Sequence, residues 1–457
     1  MTLGVVILAA GRGTRMCSNL PKVLHPLAGQ PLLAHVLNAA ATLDAAQQVV
    51  VFGHGGAQVP AALAERDCTW VEQVEQRGTG HAVQLALPAL APSVERVLVL
   101  YGDVPLITSA TLRRLLTVSA NTALGLLTAE LCNPTGYGRI VRNHAGRVLR
   151  IVEQRDATLA EQEISEVNTG FLVADRAQLT DWLARIKNDN AQGEFYLTDV
   201  IALAAQDGIT VASTQPGCLV EVTGVNDRVQ LAELERIYQH QAAEKLMRSG
   251  VSLADPARFD LRGTLHADSD VSLDINVIIE GEVRLATGVR VGPNCVLKNC
   301  SIGANTEIFA NCVIEGAEVG ANARIGPFAR LRPAAQLADD THVGNFVEIK
   351  KTTLGRGSKA NHLSYLGDAE IGAGVNIGAG TITCNYDGVN KSLTQIGDAA
   401  FIGSNTALVA PVKVGAGATI GAGSVISRDA PAQQLTLTRS RQTTIPSWQR
   451  PQKKPVK

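Results

Sequence analysis

Ile371-Gly372-Ala373-Gly374-Val375-Asn376-Ile377-Gly378-Ala379-Gly380 repeats an aliphatic residue followed by glycine at an interval of six. The pair recurs upstream at Val291-Gly292, Ile302-Gly303, Val319-Gly320, Ile325-Gly326, Val343-Gly344, Leu354-Gly355 and Leu366-Gly367. It continues downstream at Ile396-Gly397, Ile402-Gly403, Val414-Gly415 and Ile420-Gly421. Many intervals are six residues or a multiple of six, and the slips fall where corners or loops would interrupt a coil. Such a hexad is a solenoid signature: each short strand turns one aliphatic side chain inward, and neighbouring coils supply the rest of the core. A disordered Gly-rich tract has no reason to keep an aliphatic residue in phase. From about Asp270 onward the sequence predicts a parallel β-helix.

Ahead of the repeat, Leu231, Leu234, Tyr238, Ala242 and Leu246 lie on one helical stripe between Asn226 and Arg248. Asn226 or Asp227 can cap its start and Gly250 its end, which predicts a linker helix. Further upstream, short β-like runs (Val5–Leu8, Val49–Phe52, Val97–Leu100, Leu124–Thr128, Gly170–Val173) alternate with helical ones (Leu32–Leu43, His81–Leu90, Ala110–Val118). That alternation predicts a doubly wound, Rossmann-like α/β domain with a largely parallel sheet, whose ligands sit at the carboxyl ends of the strands. The expected division is residues 1–226, a linker helix over 227–250, and a β-helix domain with its tail over 251–457.

The bulk composition narrows the chemistry. The chain has 457 residues, too many for one ordinary domain. Hydrophobic residues make up 46% but aromatics only 4%, so the core must be built from Val, Ile, Leu and Ala. The net charge of −1 argues against a nucleic-acid-coating protein, which needs a basic face. The basic end Lys453-Lys454-Pro455-Val456-Lys457 reads as a solvated tail. The eight cysteines form no CxxC pair, so they read as small buried hydrophobes in a reducing compartment rather than zinc ligands. The apolar run Val5 to Ala10 lacks a basic flank, and no stretch is long enough to span a bilayer. The expectation is a cytoplasmic protein without membrane insertion.

Leu8-Ala9-Ala10-Gly11-Arg12-Gly13-Thr14-Arg15-Met16 follows the first strand, and Pro21-Lys22 comes soon after. A loop whose glycines bare backbone N–H groups suits a phosphate, and Arg15 and Lys22 could neutralise a triphosphate. Glycine loops also make tight turns with no ligand, and an aspartate such as Asp103, taken alone, is more often a turn residue or cap than a metal ligand. The full string resembles the signature of nucleoside-triphosphate:sugar-1-phosphate nucleotidyltransferases. Gln73 to Gly80 resembles the base-reading segment of that family, and Tyr101-Gly102-Asp103 places a carboxylate at the sheet's edge.

Thr135 to Arg139, Ile151-Val152-Glu153, Glu166 to Gly170 and Gly224-Val225-Asn226 narrow the resemblance further. They resemble the bifunctional N-acetylglucosamine-1-phosphate uridylyltransferase/glucosamine-1-phosphate acetyltransferase family. The resemblance implies that Leu8, Ala9, Ala10, Gly11, Arg15, Lys22, Tyr101 and Gly102 belong to the UTP and UDP-N-acetylglucosamine site. It implies that Gln73, Gly78 and Thr79 contact the uridine, that Gly138, Glu153 and Asn168 hold the amino sugar, and that Asp103 and Asn226 hold Mg²⁺.

Lys359-Ala360-Asn361-His362-Leu363-Ser364-Tyr365-Leu366-Gly367-Asp368 interrupts the bland hexad, and Thr383 to Gly388 breaks it again as a loop leaving the coil would. A lone histidine in a solenoid reads as surface or satisfied core. By resemblance, however, His362 is the general base of acetyl transfer, and an imidazole ordinarily titrates near ~6.5. Arg332 and Lys350 would clamp the phosphate of glucosamine-1-phosphate, with Tyr365 and Asn376 orienting the sugar. Ala379, Asn385, Tyr386, Ser404, Ala422 and Arg439 would line the acetyl-CoA site. Related β-helix acyltransferases are left-handed and trimeric, so the resemblance also implies left-handed coils and a homotrimer. The alternative is a single-activity sugar-1-phosphate nucleotidyltransferase whose β-helix only regulates or oligomerises.

Overall fold

The computed structural model describes residues 1–453. Lys454 to Lys457, most of the expected solvated tail, lie outside the described residues. The chain forms two compact units, Met1–Tyr238 and Gln239 onward.

The front unit is built on a nine-stranded sheet. Its strands are β1 (Leu3–Ala9), β2 (Gln47–Phe52), β3 (Thr69–Glu72), β4 (Arg96–Tyr101), β5 (Leu124–Glu130), β6 (Arg139–Arg142), β7 (Val148–Val152), β8 (Glu166–Asp175) and β9 (Val211–Thr214). The spatial order is β9-β5-β8-β4-β1-β2-β3, with β6 and β7 attached as a hairpin. β1 explains its own composition: Val6 and Leu8 enter one apolar layer while Val5, Ile7 and Ala9 enter the other. A strand buried on both faces reads as a continuous apolar run. The helices Leu32–Ala41, Thr79–Ala86 and Ser109–Val118 fall where the pattern placed them. The sheet is less parallel than expected. β8 runs antiparallel to both β4 and β5. The chain between β5 and β8 carries a hairpin instead of a long crossover helix, so it can return only antiparallel.

The helix Arg228–Arg248 begins after Asp227, whose carboxylate accepts a hydrogen bond from Gln230 N at 2.9 Å. Leu234 packs in the front unit. In the rear unit it is Ala243, not Ala242 of the expected stripe, that joins the core.

The rear unit is a parallel β-helix whose coils pair into an eleven-stranded and a fourteen-stranded sheet. Many strands are two residues long with the second residue buried, as in Arg324-Ile325 and Arg330-Leu331. Ala360, Ile377, Ile402 and Ile420 stack coil on coil. The glycine after each aliphatic residue lets coils approach: a Cβ on Gly403 would stand 2.5 Å from Ala422 N. All eight cysteines are free, but only Cys295, Cys300 and Cys312 are the buried hydrophobes expected; Cys17, Cys132 and Cys218 are exposed, and Cys68 and Cys384 are half-buried. No helix among the described residues is long and apolar enough to cross a membrane.

Candidate active sites

The carboxyl ends of β1 and β4 lie side by side, with Leu8 paired to Tyr101 and Gly102 N donating to Leu8 O at 2.9 Å. The glycine loop leaving β1 and the Tyr101-Gly102-Asp103 turn therefore open onto one cleft of about 580 Å³. Leu8, Ala9, Ala10, Gly11, Lys22, Gln73, Gly78, Thr79, Tyr101 and Asp103 line it. Lys22 Nζ forms an ion pair with the Asp103 carboxylate, and both side chains are largely buried. Gln73 is buried and donates through Nε2 to Gly78 O at 3.0 Å, leaving its carbonyl oxygen free of that contact. Arg15 does not line the cleft. It is exposed in the turn Thr14–Met16, whose buried member is Met16. Arg12 lines the cleft in its place and reaches Gln76 Oε1 at 2.8 Å, joining the glycine loop to the segment after β3. Both residues stand inside the quoted motifs, but nothing in their spacing distinguishes Arg12 from Arg15.

Glu153, Gly138 and Asn168 come together beyond Tyr101. Asn168 N donates to Gly138 O at 2.8 Å, and a Cβ on Gly138 would stand 3.3 Å from both Glu153 oxygens. Gly170, at φ +90°, lies against the Tyr101 ring, where a Cβ would be 2.5 Å from Cε2. Burial pushes the Tyr101 phenol far above its ordinary value, and the charges of Glu153 and Asp103 push in the same direction. Burial likewise raises Glu153, although Thr198 Oγ1 donates to it at 3.1 Å. Asn226 follows Val225, whose N donates to Asp103 O at 2.9 Å, so the carboxylate and the amide belong to adjoining backbone.

Sequence reasoning missed Thr198 and Asp199, which carry no motif of their own. Burial, reinforced by the charge of Asp156, raises Asp199 from 3.8 to about 6. The folded state holds that proton more tightly than the unfolded chain, so Asp199 costs stability as the pH climbs from about 4 to about 6. Asp199→Asn should therefore stabilise the protein at pH 7 by about 1 kcal/mol, allowing for solvent screening of a half-exposed group. The gain should vanish near pH 4. Urea unfolding of parent and variant at the two pH values checks this, and an equal gain at both would refute the assignment.

In the rear unit, one corner of the coil is a continuous row. Backbone hydrogen bonds run from Leu363 N to Asn345 O, Gly380 N to His362 O, Asn405 N to Ala379 O and Gly423 N to Ser404 O. Asn345, His362, Ala379, Ser404 and Ala422 thus stand at equivalent corner positions on successive coils. Arg439 closes the row, with Nη2 3.7 Å from where a Cβ on Gly421 would stand. His362 is exposed, and its Nδ1 faces Asn345 Oδ1 at 3.2 Å. An amide oxygen only accepts, so this contact places the ring proton on Nδ1 and leaves the Nε2 lone pair free. Asn345 was missed, because only the coil register aligns it with His362.

Around the corner, the fourteen-stranded face carries Arg332 and Lys350 one coil apart, as Arg332 N donates to Ile349 O at 2.8 Å. Arg332 pairs with Glu348 at 2.8 Å. Lys391, also missed, reaches this face from the insertion loop, and its charge followed by that of Arg332 lowers the Lys350 pKa. The Tyr365 ring crosses the space above Gly367. Tyr386 is exposed on the loop, Asn385 is buried beneath it, and Asn376 lies on the eleven-stranded sheet. The residues expected for acetyl transfer thus divide among a corner row, the adjoining fourteen-stranded face with its insertion loop and, for Asn376, the eleven-stranded face.

A mixed α/β sheet whose glycine loop opens onto a cleft at its strand ends, joined to a hexapeptide coil with His362 in a corner row, defines a nucleotidyltransferase fused to a hexapeptide-repeat acyltransferase. The family comparisons agree: residues 5–167 match the MobA-like NTP transferase domain, 261–359 the GMPPB C-terminal domain, and 393–428 the bacterial transferase hexapeptide repeats. The chain is 57% identical over 453 residues to the bifunctional protein GlmU of Acinetobacter baumannii, and 58% identical over 454 residues to that of Idiomarina loihiensis. In each case the match covers 99% of both chains. The chain belongs to the bifunctional GlmU family, enzymes with uridylyltransferase and acetyltransferase activities. Its rear unit is the left-handed β-helix of the hexapeptide transferases. A single-activity enzyme with an inert β-helix does not fit a family whose members are named bifunctional.

Proposed function

We propose that the chain makes UDP-N-acetylglucosamine in two steps. In the first, the amine of glucosamine-1-phosphate attacks the thioester carbonyl of acetyl-CoA, and coenzyme A leaves as the thiol. In the second, the phosphate of N-acetylglucosamine-1-phosphate attacks the α-phosphorus of UTP in line, and pyrophosphate leaves. The observation that carries this reading is the corner row His362–Ala379–Ser404–Ala422–Arg439, because a merely structural coil has no use for it.

In the acetyl-transfer site, His362 Nε2 takes the proton from the attacking amine. Asn345 supports the required tautomer, since it occupies the other ring nitrogen. Ala379, Ser404 and Ala422 leave room for the pantetheine arm along the coil, and Arg439 meets the phosphates of the cofactor. Arg332, Lys350 and Lys391 crowd three cations onto one face, which a sugar phosphate relieves. Tyr365, Asn376, Asn385 and Tyr386 orient the sugar and the thioester.

In the front cleft no protein nucleophile is needed, because the attacking phosphate is already ionised. Gln73, Gly78 and Thr79 read the base, while Gly138, Glu153 and Asn168 hold the amino sugar. Among the described residues no cluster of three or more His, Cys, Asp or Glu side chains is placed to hold a metal. Asp103 and Asn226 offer one carboxylate and one amide, a lean donor set that suits Mg²⁺, which keeps waters and takes phosphate oxygens. Mg²⁺ would supply positive charge against the phosphates. Lys22, already paired with Asp103, would be released to the triphosphate, with Arg12 beside it on the glycine loop.

Residues 1–226 would house uridylyl transfer and 251–457 acetyl transfer, with 227–250 as linker. A homotrimer is supported by Phe328 and Phe346, 49% and 56% exposed, which stack at 5.3 Å on the corner before Leu363. Bulky apolar residues at φ near +57° replace the asparagines that hold this corner in earlier coils, and burial against another copy would offset that cost. A cytoplasmic location follows from the substrate pools of UTP and acetyl-CoA. The test supplies glucosamine-1-phosphate, acetyl-CoA, UTP and Mg²⁺ and follows thiol and pyrophosphate separately. Thiol release requiring acetyl-CoA, followed by pyrophosphate release, is expected; pyrophosphate without any thiol would overturn the two-step reading.

A further inference from the structure

The insertion loop after Cys384 carries Asn385, Tyr386 and Lys391, yet its own hydrogen bonds mostly hold its shape without fastening it to the coil. Asp387 Oδ1 accepts from Val389 N at 2.8 Å and Asn390 N at 2.6 Å, Ser392 N donates to Asn385 O at 2.8 Å, and Tyr386 OH donates to Gly388 O at 2.5 Å. Tyr386 and Lys391 face each other in an antiparallel bridge. The tie to the coil is a buried one. Asn385 Nδ2 donates to Asp368 Oδ2 at 2.5 Å, and the two residues are only 7% and 6% exposed. Lys351 Nζ lies 3.4 Å from the other Asp368 oxygen, but that lysine is mostly in solvent.

We propose that Asp368 is a positioning residue for acetyl transfer: its carboxylate sets the orientation of the Asn385 amide and anchors the insertion loop against the coil. This rests on the reading of the His362 corner and its neighbouring face as the acetyl-transfer site. A carboxylate only accepts, so the Asn385 NH₂ must face it, and the amide oxygen is the group left to the substrate side. Reversal of that amide would set NH₂ against carboxylate-free space and leave two acceptors opposed. An acceptor is what the amine N–H of an amino sugar needs while its other proton departs to a base. The charge on Asp368 strengthens the hydrogen bond beyond a neutral pair and makes the orientation single-valued. Asp368 also opposes the crowding of cations around Lys350, so the same carboxylate serves both the loop and the phosphate-binding face.

The experiment measures thiol release and pyrophosphate release on the full-length chain for the parent, Asp368→Ala, Asp368→Asn and Asp368→Ala combined with Asn385→Ala. Asp368→Ala should lower kcat for acetyl transfer by about 10-fold or more, the loss of one charge-assisted hydrogen bond. KM for acetyl-CoA should move less. Asp368→Asn should keep more activity than the alanine variant, because its amide oxygen can still accept. Adding Asn385→Ala to Asp368→Ala should cost little more, since one acts through the other. Uridylyl transfer on the same chains should stay at the parent's rate. Parent-like acetyl transfer by Asp368→Ala, or equal losses in the alanine and asparagine variants, would overturn the proposal. Should Asp368→Ala fail to fold, Asp368→Leu, of similar size and without an acceptor, decides, and a parent-like kcat there overturns it. A parent that releases no thiol would overturn the site reading itself, whereas an active parent with an indifferent Asp368 overturns only the positioning role.

Discussion

His362→Ala is expected to lower acetyl transfer by about 10²–10⁴-fold, the usual worth of a positioned general base. His362 is exposed at the end of the strand Lys359–His362, so removing its ring opens no cavity in the aliphatic core. The backbone link from Gly380 N to His362 O does not depend on the side chain, so the corner row persists. Thermal unfolding should therefore match the parent while thiol release collapses. Uridylyl transfer from supplied N-acetylglucosamine-1-phosphate should be unchanged. A companion change, Asn345→Ala, should lose less, because it frees Nδ1 without removing the base. Thiol release near the parent's rate in a folded His362→Ala chain would remove His362 from the chemistry.

Asp103→Asn should produce the mirror image, with pyrophosphate release reduced by about 10²–10³-fold and thiol release intact. The carboxylate is the charged member of a two-residue donor set, and an amide in its place offers a metal only a weak dipole. The change also leaves the Lys22 ammonium without its ion-pair partner in a mostly buried position. Some loss of front-unit stability is expected from that, so the assay needs the unfolding curve beside it. Because Val225 N bonds to the Asp103 carbonyl rather than its side chain, the segment bearing Asn226 should stay in place. Higher Mg²⁺ should recover part of the rate if the defect is one of metal affinity. Equal loss of both activities in folded Asp103→Asn would contradict separate sites.

Much of this architecture is readable from local pattern. The hexad needs only the knowledge that one residue in six points inward, and the buried run in β1 needs only the rule for strands covered on both faces. The glycine loop, Tyr101-Gly102-Asp103 and His362 are each carried by a contiguous motif. The antiparallel return of β8 was not readable, since a hairpin of ordinary composition stands where a crossover helix would have been.

The sequence by itself determined the coil, which is written in short-range spacing, while the two chemistries were legible in it as what the resemblance of its contiguous motifs implies. Tertiary structure alone decided the partners. Asn345 meets His362, Asp368 meets Asn385, and Lys391 meets Lys350 only through coil register and the return of an inserted loop. Arg12 lines the front cleft, whereas Arg15 is exposed in the turn Thr14–Met16, whose buried member is Met16. The raised pKa of Asp199 comes from burial and from the distant Asp156. Such effects depend on which side chains share a low-dielectric neighbourhood, and separation along the chain carries no record of that.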